Sequence, residues 1–328
     1  MKTLVIGATG IIGNNIVRKL IQQGHDVVAM SRGQTPADNL KDLDVEIVRA
    51  DLYDEQSLIK VFKGMDWVFN AAPYYPQSMF HKQQHVTTAL NGLRIFMEAL
   101  KKTSVQRVVY TSSLSTIGMA GKGKVANETF PYALCGKDPH PYFFVKYLCE
   151  EELVKAVHEE GLSVVLVNPS GCFGPYEHKP RSLCFIPQLM SGEVPAFVRG
   201  DINIVDVADV AKGHILAAEK GREGERYILG GHNTNTIDML YDICAVGGIK
   251  PPKIIAPIKM ALAACFISEV WALMTKKLPA RPALGIRFIE YAQHVSSEKA
   301  IKELGYTISP MEPCFEKAID WYRKIGYC

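Results

Sequence analysis

One stretch, TLVIGATGIIGNNIVRKLIQQG at residues 3–24, constrains the fold of this chain more than any other. Thr3 to Ile6 predict a short buried strand, Gly7, Gly10 and Gly13 follow it at once, and an amphipathic helical pattern opens at the glycines. Strand, glycine turn and helix in that order form the start of a βαβ unit. The spacing G-x-x-G-x-x-G is one residue longer than the common dinucleotide fingerprint, but the physics is shared. Glycine permits the tight turn and close backbone approach, and the helix N-terminus presents unpaired N–H groups to a pyrophosphate. A dinucleotide site is therefore expected here.

Downstream, short β-branched runs alternate with longer helical patterns. Strands are predicted at Thr3–Ile6, Val27–Met30, Val45–Val48, Trp67–Asn70, Arg107–Thr111 and Ser163–Val167, with helices near 11–23, 55–63, 83–102 and 142–160. Parallel neighbours need crossovers, so this alternation predicts an α/β doubly wound parallel sheet. Strands without alternating polar residues predict helices on both faces of it. Past residue 170 the pattern loosens, prolines interrupt it, and a short strand and helix (NIVDVADVAKGHILAAEKG) precede another strand, ERYIL. Residues 1–168, with return segments about 202–230, are assigned to a dinucleotide-binding domain. Residues 169–201 and 231–328 are assigned to a smaller, mostly helical substrate-binding lobe, with the cleft between them holding substrate.

Composition narrows the function classes. With 328 residues, 48% hydrophobic and 22% charged, the chain reads as a globular protein with a substantial core. A net charge of only +3, mixed throughout, excludes a basic stripe for nucleic acid. The eight cysteines include no C-x-x-C pair, which points to packed thiols rather than a metal or disulfide framework, and to a cytoplasmic setting. Met1 leads almost directly into a strand, so no signal peptide is expected. Residues 254–274 are strongly apolar, but Lys259 and Glu269 interrupt them, so no spanning membrane segment is expected. A helix over an apolar substrate pocket is expected instead, with membrane-surface association as the lesser alternative.

The second strand ends in Ser31-Arg32, about 20 residues beyond the glycine loop. This is where the fold reads the adenosine ribose, and a carboxylate there would hold the 2′-OH of NAD. No carboxylate is present. Ser31 can hydrogen-bond a 2′-phosphate and Arg32 can pair with it, so NADP(H) is favoured over NAD(H).

Several further motifs stand in order: ADLYD at 50–54, NAA at 70–72, VVYTSS at 108–113, YFFVK at 142–146 and NPSGCFGP at 168–175. With the GATGIIG loop they give the chain, over essentially its whole length, a resemblance to the extended short-chain dehydrogenases/reductases. That group includes dihydroflavonol-4-reductase-like enzymes and nucleotide-sugar epimerases. Late motifs, GERYILGG and SSEKAIKELGY, resemble the dihydroflavonol-reductase-like and hopanoid-associated sugar epimerase-like members. The resemblance implies a Rossmann fold and a catalytic triad of Ser113, Tyr142 and Lys146. Tyr142 would be the general acid/base, its proton made exchangeable by the Lys146 ammonium one helical turn on. Ser113, preferred over Ser112, would hold the substrate oxygen. The resemblance also implies cofactor contacts at Gly7, Thr9, Gly10, Ile11, Ile12, Gly13, Ser31, Arg32, Asp51, Leu52, Asn70, Ala71, Ala72, Thr111, Tyr142, Lys146, Pro169 and Ser170. In one place the pattern departs: Ala89 stands where the family carries the asparagine of its water relay, and Asn91 should face elsewhere. A homodimer through the Tyr142 helix is a further implication.

Two chemistries compete on this framework. One is an NADPH-dependent reductase of a ketone or aldehyde, with a small-molecule, apolar substrate. The other is a nucleotide-sugar epimerase or dehydratase that retains NAD. Such epimerases often carry an arginine for the diphosphate where this chain has Ile202-Asn203-Ile204, and Arg281 or Arg287 would have to compensate. A catalytically silent scaffold is disfavoured by the intact triad. His81, His85 and His140 are read as structural, because the tyrosine fills the acid/base role.

Overall fold

The computed structural model describes residues 1–31, 38–76, 78–121, 123–132, 134, 140–177, 179, 184–194, 196–275, 279 and 282–328. Arg32, Cys135 and Arg281 lie outside the described residues. Among the described residues the strands are β1 Lys2–Ile6, β2 Asp26–Ser31, β3 Glu46–Arg49, β4 Trp67–Asn70, β5 Arg107–Thr111, β6 Val164–Pro169, β7 Gly171–Phe173, β8 Ala196–Phe197, β9 Asp201–Asp206, β10 Arg226–Leu229, β11 His232–Asn235 and β12 Ile254–Ile255. The α-helices are α1 Ile11–Gln22, α2 Glu55–Phe62, α3 Lys82–Lys101, α4 Pro141–Glu160, α5 Phe185–Met190, α6 Val207–Lys220, α7 Thr236–Gly247, α8 Ile258–Thr275, α9 Ala283–Glu290, α10 Glu298–Leu304 and α11 Met311–Lys324.

Seven strands form one parallel sheet in the order β3-β2-β1-β4-β5-β6-β10. The order reverses between β1 and β4, and that switch point opens a crevice at the strands' carboxyl ends. Register aligns those ends: Ile6 pairs with Met30 on one side and Asn70 on the other, and Thr111 pairs with Val167. The fold class is the expected Rossmann arrangement. The strand after the Tyr142 helix does not end the sheet, because β10 pairs with β6 in parallel beyond it.

Alternate side chains of each strand enter opposite cores, which is why both faces need helices. Leu4 and Ile6 join Leu58, Phe62, Leu93, Phe96 and Leu153 of α2, α3 and α4. Val5 joins Ile16, Leu20, Val210 and Ile215 of α1 and α6, with Ala300 and Leu304 of α10. Burying each such large aliphatic side chain contributes about 1.5–3 kcal/mol. A third core, built from α5, β9, α7 and α11, gathers Ile186, Leu189, Ile204, Ile243, Phe315 and Ile319.

The apolar helix departs from expectation. Only Cys265, Glu269 and Ala272 of α8 are buried, so neither a helix sunk in its own core nor one wholly covering a pocket describes it.

Candidate active site

The glycine loop is shaped by contacts that only glycine allows. Gly7 has φ +80°, and a Cβ there would sit 2.7 Å from that of Ala72. A Cβ on Gly13 would fall 2.1 Å from the Gly7 carbonyl oxygen. Gly10 is under no such pressure; it caps α1 without a side chain, and no carboxylate occupies the first turn. The N–H groups at the start of α1, from Ile11, Ile12 and Gly13, thus have no side-chain cap, which suits an anion. The loop is anchored from outside by Asn39, whose amide nitrogen donates to the Thr9 carbonyl at 2.9 Å.

Where the sequence predicts the adenosine ribose, Ser31 closes β2 and pairs with exposed Arg49 at the end of β3. Arg49 was not singled out from the sequence, because only the sheet register reveals it beside Ser31. Asp51 is exposed and accepts a hydrogen bond from the Tyr53 N–H at 3.0 Å, as a turn residue does. Leu52 packs at the edge of the α3 core. Asn70, 4% exposed, accepts from the Ala72 N–H at 3.2 Å, which turns Ala71 and Ala72 toward the Gly7 loop.

Helix α4 carries the candidate pair, Tyr142 and Lys146. Pro141 pre-sets its first turn, and His140 Nδ1 accepts from the Tyr142 N–H at 3.2 Å as its cap. His140 therefore holds the tyrosine's backbone, in keeping with its structural reading. His85 is likewise engaged, 2.7 Å from the Tyr74 hydroxyl, and His81 sits at φ 58° ahead of α3. Tyr142 and Lys146 are both buried, and the Lys146 Nζ lies 5.7 Å from the tyrosine ring centre. That Nζ donates to the Thr111 carbonyl at 3.4 Å. Thr111 is fixed in turn by His214: Nδ1–H donates to the Val210 carbonyl at 2.7 Å, so Nε2 accepts from the Thr111 hydroxyl at 2.9 Å.

Electrostatics at the pair oppose each other. Burial drives the Tyr142 phenol above its ordinary range, Tyr75 adds to this, and the hydroxyls of Ser113 and Ser115 pull it back. Burial lowers the Lys146 ammonium to about 8. The phenol is consequently a protonated donor near neutrality. Tyr75 and Phe288 wall the ring at 5.0 and 5.1 Å between centres. Ser113, on the turn after β5, accepts from the Ser115 N–H at 3.1 Å.

A buried network behind this pair escaped the sequence reading. Glu150, one turn beyond Lys146, is 2% exposed and accepts from the Asn168 amide at 2.5 Å. The same amide lies 3.0 Å from the Ser113 carbonyl and 2.9 Å from the Thr116 hydroxyl, and Arg226 stands 3.6 Å from Glu150. Glu150 thus helps fix the backbone of the serine. In the sequence it opens the run Glu150-Glu151-Glu152, which looks like a solvated helix face.

Pro169 ends β6 and Ser170 follows it, and the Ser170 hydroxyl is buried without a hydrogen-bond partner among the described residues. An orphaned donor facing the strand ends is what an amide-bearing ligand would satisfy. Ala89 is buried on α3 while Asn91 is exposed, as its register implied. Asn203 is occupied by backbone: it accepts from the Gly231 N–H at 2.8 Å and donates to the Gly231 carbonyl at 3.3 Å. Arg287 pairs with Glu290 on its own helix.

Comparison with known proteins agrees with this architecture. A dihydroflavonol 4-reductase-type protein of Synechocystis sp. is 32% identical over 98% of this chain and 95% of its own length. Sterol demethylase protein B of Methylococcus capsulatus is 28% identical over 99% of both chains. Among solved structures, gox2253 superposes with a TM-score of 0.82 at 32% identity over 99% of this chain and 98% of its own. A nucleoside-diphosphate-sugar epimerase from Pseudomonas aeruginosa gives 0.80 at 26% identity over 100% and 99%. The family model for NAD dependent epimerases/dehydratases matches residues 3–230, from the first strand through the seventh strand of the sheet. A match of that extent, on a glycine cradle and strand-end crevice of this form, makes the chain a member of the NAD-dependent epimerase/dehydratase family.

Proposed function

We propose that the chain is an NADP(H)-dependent reductase of a ketone or aldehyde, most similar in chemistry to the dihydroflavonol-reductase branch. The observation that carries this reading is the end of β2. Ser31 occupies the position where a carboxylate would hold a ribose 2′-OH, and its register neighbour is Arg49. Arg49 thus brings a cation beside the Ser31 hydroxyl, Arg32 follows Ser31 in sequence, and neither residue 31 nor 32 is the carboxylate that would repel a 2′-phosphate.

The residues present fit a dinucleotide. The cradle of Gly7 and Gly13 leaves room where any Cβ would intrude, the start of α1 is uncapped, and the Ser170 hydroxyl lacks a partner. When bound, the nicotinamide supplies the hydride. Tyr142 donates its phenolic proton to the carbonyl oxygen, and Ser113 orients that oxygen through its hydroxyl. Lys146, held by Thr111, stabilises the phenolate left behind. The buried phenol is protonated near neutrality, as the proton donor of a reduction must be. Asn203 and Ile202, in place of an arginine, provide nothing for a sugar diphosphate. Substrate is assigned to the crevice between 1–168 and the lobe of 169–201 and 231–328.

Cofactor titration tests the reading. NADPH should bind at least tenfold more tightly than NADH, and Ser31→Asp should reverse that order. Equal binding of both, or NAD that co-purifies and resists exchange, would move the protein to epimerase chemistry. Tyr142→Phe should lower the turnover number by about 10²–10⁴-fold while leaving NADPH binding intact.

A further inference from the structure

We propose that the outward face of α8 docks on the surface of an anionic lipid bilayer, the helix lying in the plane of the headgroups. Met260, Ile267, Trp271 and Met274 are 66–73% exposed and recur at helical spacing, so they form one stripe along the helix. Phe266 and Leu273, about half exposed, flank it. From Met260 to Thr275 the only charged residue is Glu269. A solvated surface helix normally turns charge outward; this one turns its single carboxylate inward.

Glu269 also decides how the helix meets lipid. It is 3% exposed, and its two oxygens accept from the Met79 N–H at 2.9 Å and the Ala283 N–H at 2.8 Å. Those bonds tie α8 to the loop before α3 and to the start of α9. The 18-residue helix is long and apolar enough to cross a membrane. Crossing would strip Glu269 of both partners inside hydrocarbon, whereas lying flat preserves them and buries only the outward stripe.

Charge selects the lipid. Lys250, Lys253 and Lys259 are exposed at the approach to α8 and in its first turn, and Lys276 and Lys277 follow it directly in sequence. Exposed cations at the start of an uncharged apolar stripe complement an anionic headgroup layer around an acyl interior. A second copy of this chain meeting the patch by two-fold symmetry would bring the same exposed lysines, Lys250, Lys253 and Lys259, to it, whereas an anionic headgroup layer complements them. The docked face adjoins the reactive pair, because Phe266 contacts Phe80 and the neighbouring α9 supplies Phe288 to the Tyr142 wall. Docking itself stands independently of the reaction proposed above.

Flotation of the full chain with vesicles of phosphatidylcholine and phosphatidylglycerol in equal parts tests this. The wild type should float with the mixed vesicles at low salt, float at least fivefold less with pure phosphatidylcholine, and detach as salt rises. Tryptophan emission should shift to the blue on binding, a shift absent from Trp271→Phe. The double variant Ile267→Glu/Met274→Glu should stay in solution while keeping the wild-type melting temperature and NADPH affinity. No flotation with the mixed vesicles, or flotation unchanged in the double variant, overturns the proposal. So does a wild-type dimer that the double variant converts to monomer without any vesicle binding. NADPH affinity is read on the same samples without vesicles, so failure of the cofactor reading is separately visible.

Discussion

Helices α4 and α8 are of similar length and have opposite relations between polarity and burial. Helix α4 carries Tyr142, Lys146 and Glu150 into the interior, each under 7% exposed. Helix α8 sends Ile267, Trp271 and Met274 to the surface and buries a glutamate. What differs is the surroundings. The inner face of α4 meets hydrogen-bond partners already in place, namely the Thr111 carbonyl, Asn168 and Arg226, so ionisable groups can be buried there without being orphaned. On α8 the buried Glu269 meets such partners, while the outward stripe is apolar and faces away from the protein. Side-chain polarity therefore does not decide burial in either helix; the facing groups do.

The comparison can be broken most forcefully at Glu150. Replacing it with alanine removes the buried carboxylate that faces Arg226 and the Asn168 amide, leaving them the neutral acceptors Glu128 carbonyl, Ser113 carbonyl and Thr116 hydroxyl. Loss of one partner from such a network costs about 3–5 kcal/mol, which denaturant unfolding should register, with Glu150→Gln costing less than half as much. A Glu150→Ala protein as stable as wild type would mean that the network is ornamental.

A second test uses acid. Burial lowers His140 and His214 to about 4, so both are neutral in the folded chain, whereas an unfolded histidine binds its proton near 6.5. Below pH 6.5 the unfolded chain therefore takes up protons that the folded chain cannot. Stability is complete above that pH and falls as pH drops from 6.5 toward 4, by up to about 1.4 kcal/mol per pH unit for each histidine. Melting temperatures measured between pH 6.5 and 5 should decline in the wild type, and the slope should flatten in a His140→Gln/His214→Gln variant. An equal slope in both proteins would show that neither histidine is held neutral.

The smallest effect belongs to α8. Ile267→Glu on its outward stripe should change unfolding free energy by no more than about 0.5 kcal/mol, because nothing packs there. A loss of several kcal/mol would place Ile267 in a contact and remove the contrast with α4.

Much of the fold was legible because its signals are local. Each of the six strands read from the sequence lies within two residues of an observed one, since β-branched runs between glycines and prolines specify strands without outside help. The glycine loop was equally readable, although only the structure shows that Gly7 and Gly13 are sterically required and Gly10 is not. The spacing of Tyr142 and Lys146 put them on one helix face whatever the fold.

Other features were not in any local pattern. Arg49 comes beside Ser31 only through the β2–β3 register, and His214 reaches Thr111 across 103 residues of chain. Glu150 stands among three consecutive glutamates, and composition cannot say which of them turns inward. The apolar run at 254–274 was readable as apolar but not as exposed. Sequence by itself determined the strand–turn–helix grammar, the glycine loop at the head of α1 and the shared helix face of Tyr142 and Lys146, because these depend on residues a few positions apart. Tertiary structure alone decided which charges are buried and which apolar residues are not. A side chain's desolvation is offset, or left standing, by groups that arrive from distant parts of the chain.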